Sequence, residues 1–353
     1  MAGLAKSERN IIGGVIALTV IAGIIRYAGG ISEIVAFVLA GVALAGQAWI
    51  VSFSTEQVGH RIGPSATGFL HSTLGNLPEF FVVIFALQAG QKIVAETAIL
   101  GSILVNALLV MGLVIIAGAR RSDDGLMRFE KKLPLDTATL LLIAAFIIVL
   151  VGLAGSSHDA ASHHLNAISM IAAVAILIVY ATWALHYLGQ EPPGTESGHE
   201  ARLSLKSGIA LLAAAAVSSA FTSDWFVHAL EPTIHQLHIS KAFAGLVIVA
   251  IAGNAVENVA GVALAARGRS DLAISVVKNS IAQIAAFLYP LLILVSVLTK
   301  TRLTFAIAPV YIGALFGTAV LLWQITGDGE ATAFEGTALV AAFVLLATVA
   351  AYE

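Results

Sequence analysis

Cysteine is absent from the 353 residues, so neither a disulfide nor a thiolate metal site can form, and the chain carries no mark of its redox compartment. Charge is scarce: 11% of residues are Asp, Glu, Lys or Arg, where soluble domains carry roughly 25%. The net charge of −3 is weak, and no basic stripe suggests nucleic acid as a partner. Paired catalytic aspartates, an HExxH zinc motif and a G-x-S-x-G nucleophile are all missing, which counts against an intramembrane enzyme. What remains is apolar: 59% of the chain is hydrophobic.

That material falls into eleven segments, at about 11–28, 33–54, 66–89, 93–118, 134–154, 165–188, 205–225, 241–266, 271–299, 303–324 and 335–351. Each is near the ~20 residues a helix needs to cross a bilayer. A closed barrel would show short alternating strands instead. The expectation is an all-α polytopic membrane protein with the lipid bilayer as its surroundings. The N-terminal MAGLAKSERN is followed by an apolar run to Tyr27 that is interrupted only by Arg26 and has no evident cleavage site. It reads as a first span rather than a signal peptide. One set of loops holds Lys6, Arg9, Arg61, Arg120, Arg121, Arg128, Lys131, Lys132, Arg202, Lys206, Arg267 and Arg269. The opposite set holds Arg26, Lys92, Lys241, Lys300 and Arg302. The positive-inside bias makes the N-terminus cytoplasmic, and the lean loops suggest a bacterial plasma membrane.

The second half repeats the first. GNLPE at 75–79 returns as GNAVE at 253–257, an offset of 178 that also pairs Gly90 with Gly268 and Ser102 with Ser280. FSTE at 53–56 has a looser match in FTSD at 221–224. The reading is an N-terminal tail and extra helix at 1–32, a five-helix repeat at 33–188, a polar cytoplasmic linker at 189–204 and a second five-helix repeat at 205–353. An odd number of spans inverts the second copy, a recurring plan of secondary transporters.

Glu79 and Glu257 sit near the middle of spans three and eight. A carboxylate there is costly and marks a functional site by default. Gly75 and Gly253 lie one turn earlier and permit close approach. Pro78 removes a backbone donor, and Asn76 and Asn254 add amide oxygens. Ser102 and Asn106 in span four, with Ser280 and Gln283 in span nine, either complete the site or bond to neighbouring helices. Such an oxygen-only set suits a hard cation, Ca²⁺ above all, and the same carboxylates bind protons. His71 is either a structural contact or a proton sensor. Glu56 and Asp224 read as span ends, equally suited to caps or gates. Lys278, opposite Leu100 in the other repeat, either snorkels toward the cytoplasm or approaches Glu257 as a stand-in cation. The histidines at 158, 163, 164, 228, 235 and 238 read as loop residues.

At TEQVGHRIGPSATGFLHSTLGNLPEFFVVIFALQAG, ILGSILVNALLVMG, EPTIHQLHISKAFAGLVIVAIAGNAVENV and SDLAISVVKNSIAQIAAFLYP, the chain resembles the calcium/proton exchanger (CAX) family of the cation/calcium antiporter superfamily. The resemblance implies an extra N-terminal helix, two inverted five-helix repeats and Ca²⁺/H⁺ exchange by alternating access. It places the cation around Glu79 and Glu257, helped by nearby carbonyls and by polar groups of spans four and nine. The sequence departs from the family pattern at Leu77, Asn258, Asn279, Ile281, Val105, His71 and Lys278. Transported Ca²⁺ and H⁺ are the expected substrates and no cofactor is expected. A monovalent Na⁺ or K⁺/H⁺ antiporter on the same scaffold, or a passive cation channel, remains an alternative at this point.

Overall fold

An apolar run that must satisfy its own backbone polar groups has one local solution, the helix. The computed structural model describes residues 4–59, 74–130, 132–157, 160–188 and 202–353. Its helices are α1 Lys6–Ala28, α2 Glu33–Gly59, α3 Leu77–Gln88, α4 Lys92–Arg121, α5 Lys132–Ser156, α6 Leu165–Leu188, α7 Leu205–Leu237, α8 Lys241–Gly253, α9 Ala255–Ala266, α10 Ser270–Leu298, α11 Pro309–Thr326 and α12 Ala333–Ala351. Among the described residues nine helices are long and apolar enough to cross a membrane, and α8 with α9 forms a further, broken span bent by 64°. The remaining expected segment, 66–89, is described only from Leu74 onward. His71, His158, Arg61, Lys131 and linker residues 189–201 lie outside the described residues.

Two expectations need correction. Helix α7 does not stop near residue 225 but runs 33 residues through Pro232. Glu231-Pro232 looks like a terminator, yet a proline removes a single donor and the helix continues past it. Asp224 is therefore mid-helix, and His228 and His235 are helical rather than in a loop. His238 closes the helix in the left-handed region, φ 53°, while His163 and His164 lie on a short 3₁₀ turn. Glu56 is exposed one turn before α2 ends.

The 178-residue offset reappears in the backbone. Gly90 and Gly268 both turn the chain at positive φ, 79° and 76°, a region open to glycine. Around them the bonds Gln91 N–H to the Ala86 carbonyl (2.8 Å) and Arg269 N–H to the Leu264 carbonyl (3.0 Å) correspond. Helices α4 and α10 begin at equivalent positions and carry π turns at Val105–Val110 and Ile284–Leu288. A third π turn, Ala244–Val249, lies in α8.

The helices pack as two compact units, Met1–Phe85 with Ala181–Ile239, and Ala86–Tyr180 with Ser240–Glu353. Each draws on both sequence halves. In the first, Ile12, Val15, Ile50, Val51 and Ala215 form a core joining α1, α2 and α7. Phe37 stacks on Phe226 at 4.6 Å. The buried Gln47 amide donates to Thr19 and Thr222, both at 2.8 Å, tying the same three helices. Near the N-terminus, Gln57 Oε1 accepts Arg202 N–H at 2.8 Å, and Arg202 pairs with Glu8 at 2.5 Å.

In the second unit α4 crosses α8 closely. A Cβ on Gly101 would lie 2.3 Å from the Leu246 carbonyl oxygen, so only hydrogen fits there. Gly112 and Gly336 meet in the same way where α4 crosses α12. Two short strands that the hydrophobic pattern does not announce, β1 Leu126–Arg128 and β2 Glu330–Thr332, pair antiparallel. Arg128 bonds Asp124 at 2.7 Å and reaches Glu330 at 3.7 Å. The hydrogen bond from Arg128 holds the Asp124 carboxyl below its usual range. Asp271, in the first turn of α10, accepts Glu130 N–H at 2.6 Å. The loops that meet here (122–130, 267–270 and 327–332) belong to one side of the expected topology. At the opposite helix ends Ser240 Oγ donates to the Ala350 carbonyl.

Candidate cation site

Asn254 interrupts the helix between α8 and α9. Its backbone sits at φ −106°, ψ 14°, outside the helical well, while its N–H still bonds the Ala250 carbonyl at 3.3 Å and its carbonyl still accepts Asn258 N–H at 3.0 Å. Gly253, the last residue of α8, offers no side chain at the bend. Three residues past the break, Glu257 lies in the first turn of α9. A carboxylate is favoured there because unsatisfied N–H groups and the helix dipole present positive charge.

The surrounding side chains come from α4 and α10. Ser280 Oγ donates to Glu257 Oε2 at 2.5 Å. Asn254 Nδ2 donates to Ser102 Oγ at 2.9 Å and to the Ala250 carbonyl at 3.0 Å. Asn106 Nδ2 donates to the Ser102 carbonyl at 3.0 Å and lies 3.5 Å from Ser280 Oγ. Ser102, Asn106, Asn254, Ser280 and Gln283 are all buried, and Glu257 is half-buried. Five of the expected residues are thus joined by hydrogen bonds, and Gln283 lies one turn beyond Ser280 on α10. The donors are oxygens and amides only; among the described residues no cluster of three or more His, Asp or Glu gathers as a metal site. The amide groups spend their N–H donors on neighbouring oxygens. That leaves Asn and Glu oxygens as the ligating atoms.

The first unit repeats the local pattern. Asn76 is a turn residue directly before α3, its carbonyl accepting Phe80 N–H at 3.0 Å, which matches the bond at Asn254. Asn76 and Glu79 are both buried, Glu79 at 3% exposure. Gly75 precedes the turn. The Pro78 carbonyl accepts Ser223 Oγ from α7 at 3.3 Å, a contact with no signal in the sequence beyond the loose FSTE/FTSD match.

Lys278 reaches toward the end of α11. It is 4% exposed, and its Nζ donates to Thr326 Oγ1 on α11 at 2.5 Å, beside Ala138, Leu141, Ile281 and Leu322. Two helical positions separate it from Ser280, a rotation of about 200°, so the two side chains leave α10 on opposite faces. Thr326 carries no signal in the sequence, because the end of an apolar span gives no hint of what it meets.

The sodium/calcium exchanger protein model matches residues 32–188 and again 207–352. The chain belongs to that family. Within it, the chain is 32% identical over 323 residues to the vacuolar calcium ion transporter of Schizosaccharomyces pombe, covering 88% of this chain and 77% of that protein. It is 30% identical over 312 residues to the Ca²⁺/H⁺ antiporter ChaA of Bacillus subtilis, covering 83% and 85%. Among solved structures, native YfkE superposes with a TM-score of 0.79 at 25% identity, covering 97% of this chain and 99% of that one. The H⁺/Ca²⁺ exchanger CAX superposes at 0.77 with 14% identity, covering 97% and 88%, a likeness of fold. The calcium/proton exchanger resemblance read from the sequence and the helical transporter architecture both agree with these matches.

Proposed function

We propose that the chain is a secondary antiporter that exchanges Ca²⁺ for protons by alternating access around Glu79 and Glu257. It works as two inverted five-helix repeats, residues 33–188 and 205–353, in a bacterial plasma membrane with its N-terminus cytoplasmic. The observation that carries this reading is the oxygen-rich cluster at the broken helix: Glu257 three residues past a bend at Asn254, with Ser102, Asn106 and Ser280 in hydrogen-bonded contact. Asn76 and Glu79 repeat the same turn and carboxylate. Ca²⁺ takes six to eight oxygen ligands, and each copy of the motif offers a carboxylate and an amide oxygen. Protonation of the same carboxylates removes the ligands, which couples the two ions. The fungal calcium transporter and the Bacillus Ca²⁺/H⁺ antiporter support calcium and protons over Na⁺ or K⁺.

The test is ion flux in proteoliposomes under an imposed pH gradient, with Ca²⁺, Na⁺ and K⁺ offered in turn. Ca²⁺ uptake that stops when the gradient is collapsed is the expected result. Gradient-driven Na⁺ or K⁺ movement without Ca²⁺ movement would make it a monovalent antiporter, and flux that needs no counter-ion would make it a channel.

A further inference from the structure

The first unit holds a cavity of about 90 Å³ at the end of α1 that faces the side opposite the N-terminus. Its polar lining comes from Arg26, Glu33, Trp225 and His228, and its apolar lining from Ala22, Ile25, Ile31 and other residues of α1 and α2. Two donors here are buried and unsatisfied: the Nε–H of Arg26 and the indole N–H of Trp225. Both groups can only donate, and burying a donor without an acceptor forfeits its hydration with nothing in return. The indole is held in place. It lies against Gly23 of α1, whose Cβ would come within 2.8 Å of it, and it meets Tyr27 edge-on at 6.4 Å. The Arg26 guanidinium sits 5.7 Å from the Tyr27 ring centre. No ion pair joins Arg26 to Glu33 among the described residues.

We propose that this cavity binds the headgroup of an aminophospholipid, its phosphate on Arg26 and Trp225 and its primary ammonium on Glu33. The location fits: Trp and Tyr gather at the membrane–water interface, and exposed Ile24, Tyr27 and Ile31 open the cavity to acyl chains. The charges select the ligand. Arg26 and Glu33 cancel, so a zwitterion is matched where a net anion is not. A carboxylate hydrogen-bonds a primary ammonium but finds no donor on a trimethylated one. Phosphatidylethanolamine is thus favoured over phosphatidylglycerol and phosphatidylcholine. The phosphate–amine chemistry is shared by free phosphoethanolamine, and competition separates the two sources.

The experiment uses the full-length chain, delipidated in detergent, with native mass spectrometry to count bound lipid. Phosphatidylethanolamine, phosphatidylcholine and phosphatidylglycerol of the same acyl chains are titrated separately. The expected result is at least tenfold tighter retention of phosphatidylethanolamine than of either other lipid. R26Q should weaken it at least tenfold, and E33Q should bring it down to the phosphatidylcholine level. Soluble phosphoethanolamine at millimolar concentration should displace the lipid, which shows that the headgroup is what is read. If inorganic phosphate displaces it equally well, or if E33Q leaves the preference intact, the ammonium contact is refuted. Equal retention of all three lipids, or an R26Q variant that binds like wild type, overturns the proposal and leaves a water-filled cavity. Should R26Q fail to insert, the three-lipid comparison on the unaltered chain decides alone.

Discussion

Ser280→Ala removes one hydroxyl from the cluster around Glu257. That hydroxyl donates to Oε2 at 2.5 Å and limits the carboxylate's rotation. Hydrogen bonds to a charged group contribute about 1.5–3 kcal/mol, and every ~1.4 kcal/mol is tenfold in an equilibrium. If the bond serves to orient the carboxylate for its cation, Ser280→Ala weakens apparent Ca²⁺ affinity roughly ten- to hundredfold. The variant should fold normally. Asn106 keeps its 3.0 Å bond to the Ser102 carbonyl, and the lost volume is small. Ser280→Thr, which keeps the hydroxyl, should recover most of the affinity. The assay is initial-rate Ca²⁺ uptake into proteoliposomes across a fixed pH gradient, with protein insertion quantified in the same vesicles. Wild-type affinity in Ser280→Ala would make the hydroxyl a bystander. Tighter binding would show that it competes with the cation instead of presenting the carboxylate. Either outcome refutes the reasoning.

The remaining tests address other parts of the molecule. Glu79→Gln and Glu257→Gln should each abolish exchange in a folded, inserted protein, and retained exchange by either would remove the two-carboxylate mechanism. Apparent Ca²⁺ affinity should fall as pH drops from about 8 to about 6 on the loading side, because protons and cation claim the same oxygens; a flat profile over that range, read from the same uptake assay, contradicts direct competition. Lys278→Met removes the ammonium that bonds Thr326 on the face of α10 opposite Ser280. It should leave Ca²⁺ affinity unchanged in the same uptake assay, whereas a shifted affinity would tie Lys278 to the site. Gly101→Ala drives a Cβ onto the Leu246 carbonyl oxygen and should lower stability by at least ~1–3 kcal/mol; an unchanged Tm would mean the α4–α8 crossing yields freely.

The features legible in the sequence are those that repeat or break a pattern. Two GN-x-x-E motifs at one offset single out the polar turn residues Asn76 and Asn254, although the run 241–266 reads as one continuous span and hides the bend there. Ser102, Asn106 and Ser280 stand out as polar residues within apolar runs, and Asn254 and Glu257 do meet them. Strands β1 and β2 are invisible: three residues are too short to show alternation, and their pairing joins segments about two hundred residues apart. The length of α7 is obscured because Glu231, Pro232 and two histidines look like a loop, yet polar residues at a helix end need only reach water. For Lys278 the helical wheel supplies a direction without a neighbour. Thr326 comes from α11, and no local pattern says which helix lies alongside.

The π turns in α4 and α10 make those helices sensitive to length more than to composition. Each turn holds one residue beyond what an α-helix needs over the same path. Deleting Leu108 or Ala286 would therefore give a more regular helix with better backbone bonds. The segment C-terminal to the deletion would keep its direction, because the α-helix covers the same path with one residue fewer. In α4 Gly112 would stay at its meeting point with Gly336 on α12, whereas deleting a residue from the α-helical turns before the π turn would rotate it away by about 100°. Substitutions at these apolar positions leave the rotation untouched. A scan by single deletions would accordingly map a constraint that alanine scanning passes over, at apolar positions.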